Sequence, residues 1–139
     1  MSVDHCKVIQ IPKVEDLRGN LSFIEGTNHV PFDLARIYYI YDVPQDANRG
    51  AHAHIKLEQF IIAVTGSFEV TLTDGFENKK FMLDQPCEGL YVTPMVWRSI
   101  KNFSKGSICL VLASRPYEEN DYIRSYDDFL AALDYSNES

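Results

Sequence analysis

RGAHAHIKLEQF, residues 49–60, carries two histidines one residue apart, His52 and His54, with Gly50 ahead of them and Glu58 four positions after the second. On a strand, side chains alternate, so both histidines point to the same side. The run that follows, QFIIAVT (59–65), is almost continuously apolar, as a strand buried on both faces is. A short strand bearing two imidazoles, leading into a fully buried strand, predicts a β-domain with a polar site in its interior or mouth. The plain alternative is a pair of surface histidines beside a turn.

The segments on either side extend this pattern. CKVIQI (6–11) and NLSFIE (20–25) read as early strands with Gly19 at the turn between them, and LARIYYIYD (34–42) is rich in aromatic and β-branched residues. SFEVTLTD (67–74) alternates cleanly, with Phe68, Val70 and Leu72 on one face and Glu69, Thr71 and Thr73 on the other. Asp74-Gly75 is a hairpin signal. KKFMLD, GLYVT, WRSIKNF and SICLVLAS continue the series to residue 114. Only SYDDFLAALDY (125–135) has helical spacing, which lines up Phe129, Leu130 and Leu133. Short strands at near-regular intervals with one terminal helix predict an all-β fold, a jelly-roll barrel with a short C-terminal helix.

The 139 residues suffice for one domain, 1–139, and not for two. Hydrophobic residues make up 45% of the chain, enough for a core. A net charge of -7 argues against non-specific nucleic-acid binding, since phosphates would be repelled. Local arginines can still hold a small anion. The N-terminus shows no basic start followed by an apolar run, and no stretch approaches a membrane span, so neither signal peptide nor membrane partner is expected. Cys6, Cys87 and Cys109 are widely spaced and odd in number, which fits a reducing cytoplasm rather than a disulfide framework.

H-x-H, three residues, Glu58 and then Gly66 at the next turn match the first cupin motif. In metal-holding cupins those three side chains are ligands, and a second motif adds a histidine. That second motif falls on GLYVTPMVWRSI (89–100), where Gly89 and Pro94 are present but Arg98 occupies the histidine's place. A guanidinium has no lone pair for a metal and repels a cation. Two histidines and a glutamate could still make a three-ligand facial set for zinc or iron. The other reading is a pair of imidazoles facing an arginine, which is acid–base equipment that needs no cofactor.

Taken together, RGNLSFIEG (18–26), PFDLARIYYI (31–40), RGAHAHIKLEQF (49–60), GLYVTPMVWRSI (89–100) and LVLASRPYEENDYIRSYDDFL (110–130) resemble the WxcM-like or FdtA-like sugar 3,4-ketoisomerases, small cupins that act on dTDP-4-keto-6-deoxyglucose. The resemblance covers about residues 7–133. It implies a metal-independent isomerase that moves a keto group from C4 to C3, working in deoxyamino-sugar synthesis for surface polysaccharide. It assigns His52 as the base at C3, with His54 and Tyr38 as proton shuttles. It also implies a homodimer with exchanged N-terminal strands. Without it, Tyr38 reads more readily as core or barrel packing.

A nucleotide substrate brings two phosphates. Arg18, Arg49, Arg98 and Arg115 are the candidates to hold them, with Arg36 and Lys56 behind. Any lone arginine is more often a solvated charge; Arg49 and Arg98 stand out because they lie inside matched motifs. Trp97 is a candidate to flank the thymine ring, with core packing as its alternative. EEND (118–121) reads as a solvated turn. Of the two possible C4 epimers of the product, the galacto form is favoured, with Arg18 and Arg98 expected to influence the choice. Competing functions are a dTDP-sugar 3,5-epimerase, a sugar- or nucleotide-binding cupin without turnover, and a metal-dependent oxygenase.

Overall fold

The computed structural model describes residues 3–138. Its strands are β1 (Lys7–Gln10), β2 (Lys13–Val14), β3 (Leu21–Ser22), β4 (Arg36–Ile40), β5 (Arg49–His54) and β6 (Gln59–Thr65). The series continues with β7 (Phe68–Thr73), β8 (Asn78–Leu83), β9 (Glu88–Val92), β10 (Trp97–Lys101), β11 (Ile108–Ala113) and β12 (Tyr122–Ile123), and ends in helix α1 (Tyr126–Glu138). Two five-stranded sheets, ordered β1-β9-β6-β11-β4 and β12-β5-β10-β7-β8, enclose one core, while β2 and β3 pair only with each other. This is the all-β jelly roll of cupin type.

Alternation explains how the sheets meet. Phe68, Val70 and Leu72 of β7 are fully buried and pack against Ile61 and Ala63 of β6 and Val111 of β11. Each such side chain contributes about 1.5–3 kcal/mol on burial. β6 is buried on its other face too: Phe60 and Ile62 join Leu112 and Phe32 in a second cluster outside the barrel. Gly89 on β9 sits where any Cβ would strike the Phe60 ring, so close strand-to-ring packing demands glycine there.

The C-terminal helix starts where Ser125 accepts the Asp128 N–H on its Oγ. Phe129 is fully buried, and Leu130 and Leu133 pack beside it, as the spacing predicts. NLSFIE shrinks to the two residues of β3, because Leu21 there has no sheet to cover it and stays exposed.

Candidate active site

The two histidines owe their placement to an irregularity in β5. On β10, Arg98 lies opposite His52 and Ile100 opposite Arg49, so Gly50 and Ala51 together face Ser99. That extra residue is a bulge, and Gly50 supplies the left-handed backbone (φ 68°) the bulge requires. Space is not the reason for glycine there, since a Cβ would meet nothing nearer than 3.7 Å. The end of β5 is braced by the second-motif turn, where the Met95 N–H donates to the His54 carbonyl at 2.7 Å.

Between the sheets lies a cavity of about 340 Å³. Tyr38 from β4, Gln59 from β6, and His52 and Arg98 from β5 and β10 line it. Tyr122 and three further arginines, Arg36, Arg49 and Arg124, complete the wall. Tyr38 reaches the interior because it pairs in register with Val111, which in turn pairs with Ile61, and all three face inward.

One side of the cavity is a continuous hydrogen-bond chain. Arg98, only 1% exposed, donates through one terminal nitrogen to the Val96 carbonyl at 3.0 Å and through the other to Gln59 Oε1. Gln59 Nε2 then donates to the Tyr38 hydroxyl oxygen at 2.8 Å. Burial lowers the Arg98 guanidinium to about 10, which leaves it charged at neutral pH. Burial raises the Tyr38 phenol, and the Arg98 charge partly opposes that rise.

The other side is imidazole. His52 faces the cavity with a shielded Nε2 that has no hydrogen-bond partner among the described residues. His54 packs edge-on against it, ring centroids 4.7 Å apart, and does not itself line the cavity. Tyr122 covers both rings, at 5.0 and 4.3 Å. Behind them stands Asp121, which accepts the Lys56 and Leu57 N–H groups at 2.8 and 3.2 Å and faces His54 Nδ1 at 3.2 Å. Burial, reinforced by the Arg98 charge, lowers His52 to about 3 and His54 to about 2. Both imidazoles are therefore neutral, and the Asp121 contact is a hydrogen bond rather than an ion pair. As an acceptor it holds the His54 proton on Nδ1 and leaves Nε2 with the lone pair.

The predicted residues divide. Tyr38, His52, Arg49 and Arg98 meet in the cavity, with His54 one ring behind. Arg18 lies outside it, on the β2–β3 turn, exposed and bonded to Asp16 at 2.8 and 3.0 Å. Trp97 is also outside, packed against Tyr126 and Phe129 under the C-terminal helix. Arg115 pairs with Glu118 away from the cavity. Glu58 turns to the other face of the sheet, where it accepts the Tyr91 hydroxyl proton at 2.5 Å. The carboxylate of a facial metal set is thus not beside the imidazoles, and Arg98 is. The EEND segment corrects its expected solvated state: Glu118 and Glu119 are exposed, but Asp121 is turned inward. The sequence pattern does not mark Gln59, Asp121, Tyr122 or Arg124 as site residues. Gln59 was the detectable one, a polar residue opening an otherwise apolar run.

A family model described as FdtA, WxcM-like, C-terminal matches residues 4–134. A TDP-4-oxo-6-deoxy-alpha-D-glucose-3,4-oxoisomerase of Aneurinibacillus thermoaerophilus is 46% identical over 123 residues, 88% of each chain. A 3,4-ketoisomerase from Helicobacter canadensis superposes with a TM-score of 0.90 at 45% identity, covering 93% of this chain and 97% of the other. A histidine-to-asparagine variant of the 3,4-ketoisomerase QdtA from Thermoanaerobacterium thermosaccharolyticum, solved in complex with TDP-4-keto-6-deoxyglucose, also gives 0.90, at 41% identity and coverage of 92% and 93%.

Proposed function

The chain belongs to the FdtA, WxcM-like family and is a dTDP-sugar 3,4-ketoisomerase, and we propose that it converts dTDP-4-keto-6-deoxyglucose to the 3-keto-6-deoxyhexose by proton transfer through a cis-enediol. The observation that carries this reading is the cavity itself, in which the neutral His52 imidazole, whose Nε2 has no hydrogen-bond partner among the described residues, stands beside Tyr38 and the Arg98 charge.

The ketone at C4 acidifies the C3 proton. His52 takes that proton, and the C3–H electrons become the C3–C4 double bond as charge moves onto O4. O4 gains a proton, O3 loses one, and C4 receives a proton on carbon. The result is a ketone at C3 and a hydroxyl at C4, with no net change in atoms or electrons. Tyr38 shuttles protons between oxygen and the base, His54 acts as the second shuttle from behind His52, and the Arg98 charge favours the enediolate. No step calls for a metal, and the guanidinium beside the imidazoles supports that reading.

For the pyrophosphate, Arg49 is joined by Arg36, which lines the cavity and whose Nε and one terminal nitrogen have no hydrogen-bond partner among the described residues. A phosphate oxygen pair suits such a fork. Burial is the main cause of the low His52 value, and bound phosphate would offset the further lowering by Arg98 and Arg124, making His52 a stronger base once substrate is seated.

The working unit in this reading is a homodimer with exchanged N-terminal strands in the cytoplasm. The β2–β3 hairpin belongs to neither main sheet, which leaves it available for exchange. Arg18 reaches a sugar only if that exchange carries it into a partner's cavity. We favour the galacto epimer at C4, with Arg98→His, alone or with Arg18→Tyr, shifting the epimer ratio more than total turnover. The place in deoxyamino-sugar synthesis for surface polysaccharide rests on the substrate alone. Incubation with dTDP-4-keto-6-deoxyglucose followed by NMR of the sugar tests the function. A 3-keto product is expected; unchanged sugar, or epimerisation at C3 or C5 with the ketone still at C4, would overturn it.

A further inference from the structure

Gln59 is 1% exposed, opens a strand whose residues 60–64 are all apolar, and hydrogen-bonds through its side chain to Tyr38 and Arg98, which both line the cavity. Its orientation follows from elementary chemistry. A guanidinium only donates, so the amide oxygen of Gln59 must face Arg98. Its NH2 must then face Tyr38, and in the 2.8 Å contact the phenol oxygen is the acceptor. The Tyr38 proton cannot lie along that contact. Tyr38 lines the cavity, so the remaining direction for its O–H is the cavity interior.

We infer that Gln59 is a positioning residue which transmits the fixed polarity of Arg98 to Tyr38 and so presents the Tyr38 hydroxyl as a donor toward the reacting sugar. The inference rests on the isomerase reading for its catalytic consequence, and on geometry alone for the coupling. Without Gln59 the hydroxyl could rotate, and accepting or donating would be equally open to it. With an acceptor in place of the Nε2 amide, the proton would turn away from the cavity. Arg98 then has two tasks: it supplies charge to the cavity, and it locks the amide that orients Tyr38.

The test uses Gln59→Glu and Gln59→Leu, Tyr38→Phe, and the double variants. Gln59→Glu keeps an acceptor for Arg98 at nearly the same volume, so it serves even where Gln59→Leu fails to fold. Each Gln59 variant should lower kcat by about 10- to 100-fold, below the roughly 100- to 1,000-fold of a donor removed outright because the hydroxyl is still present, while KM stays within about threefold. Adding Tyr38→Phe should cost no more than Tyr38→Phe alone, because Gln59 acts through that hydroxyl. A folded Gln59→Glu protein with kcat within about twofold of the parent, or losses that simply multiply in the double variants, would overturn the assignment. A readout independent of turnover separates this from failure of the isomerase reading. With tyrosine labelled at Cζ, the Tyr38 resonance, identified by its loss in Tyr38→Phe, should move in Gln59→Glu whether or not substrate is converted. An unmoved resonance would show that no coupling exists.

Discussion

The barrel wall formed by β4, β6 and β11 has two faces, and they do opposite things. Inward, Tyr38, Gln59, Ile61 and Val111 border the 340 Å³ cavity, where the two polar side chains of this wall, Tyr38 and Gln59, are bonded to each other. Outward, Ile37, Ile62, Leu110 and Leu112 floor a groove of about 650 Å³, closed on its other side by Phe23 and Ile24 of the N-terminal segment. The same strands serve both because their side chains alternate, with Ile37 opposite Leu112 and Tyr38 opposite Val111. The larger hollow is mostly apolar, with Lys13 and Cys87 as its titratable lining residues. The smaller one has neutral imidazoles, a buried guanidinium and an oriented phenol. Chemistry rather than size marks the reaction site, and the apolar groove is where we place the proposed homodimer contact.

The sharpest way to break that division is His52→Asn. Turnover should fall by at least about 100-fold, the usual scale for a lost general base, with the association state unchanged. A variant with near-parental kcat in a steady-state assay would remove His52 from the mechanism. On the outer face, Ile37→Asp should shift the proposed homodimer toward monomer at micromolar concentration, as read by sedimentation. Ile37 is 54% exposed in the single chain, so the fold should survive, whereas a carboxylate in a buried interface is costly. A dimer unchanged by this substitution would move the interface off the groove.

A smaller effect concerns acid. Both histidines are held far below their ordinary 6.5, His52 to about 3 and His54 to about 2. The unfolded chain thus binds more protons than the folded one between those values. Stability that is complete above pH 6.5 should decline as the pH falls toward 3, by up to about 1.4 kcal/mol per pH unit for each group. Denaturant titrations from pH 7 to 5 should show a shallower decline in His54→Asn than in the parent; equal slopes would mean these imidazoles are not desolvated. The smallest expected change is none: exhaustive chelation should leave turnover intact. Loss of activity on chelation, restored by one equivalent of metal, would contradict the reading of Arg98.

The strands were largely legible because hydrophobic alternation is a local property. QFIIAVT and SFEVTLTD became β6 and β7 nearly as read, and the Phe129, Leu130 and Leu133 stripe became the docking face of the helix. His52, Tyr38 and Arg98 were legible as a set only through the resemblance of their motifs, since nothing local says that β4 and β10 face one cavity. Asp121 was hidden because EEND is a charge run by composition, and its burial depends on β12 pairing with β5. Trp97 was open to a base-stacking reading until the helix was seen to cover it. Gln59 was visible as an oddity in an apolar run, but its partners come from strands far away in sequence. Local pattern settles what a segment becomes, while a side chain's role depends on what the topology brings opposite it.

The central claim is that His52 removes the C3 proton within this cavity and that C4 is then protonated. The most direct measurement follows the sugar by NMR while the enzyme turns over dTDP-4-keto-6-deoxyglucose in deuterium oxide, for the parent and for His52→Asn. The parent should exchange the C3 proton of the substrate and yield a 3-keto product carrying deuterium at C4, and the variant should do neither at a comparable rate. Normal C3 exchange by His52→Asn, or a product whose ketone remains at C4, would contradict the account.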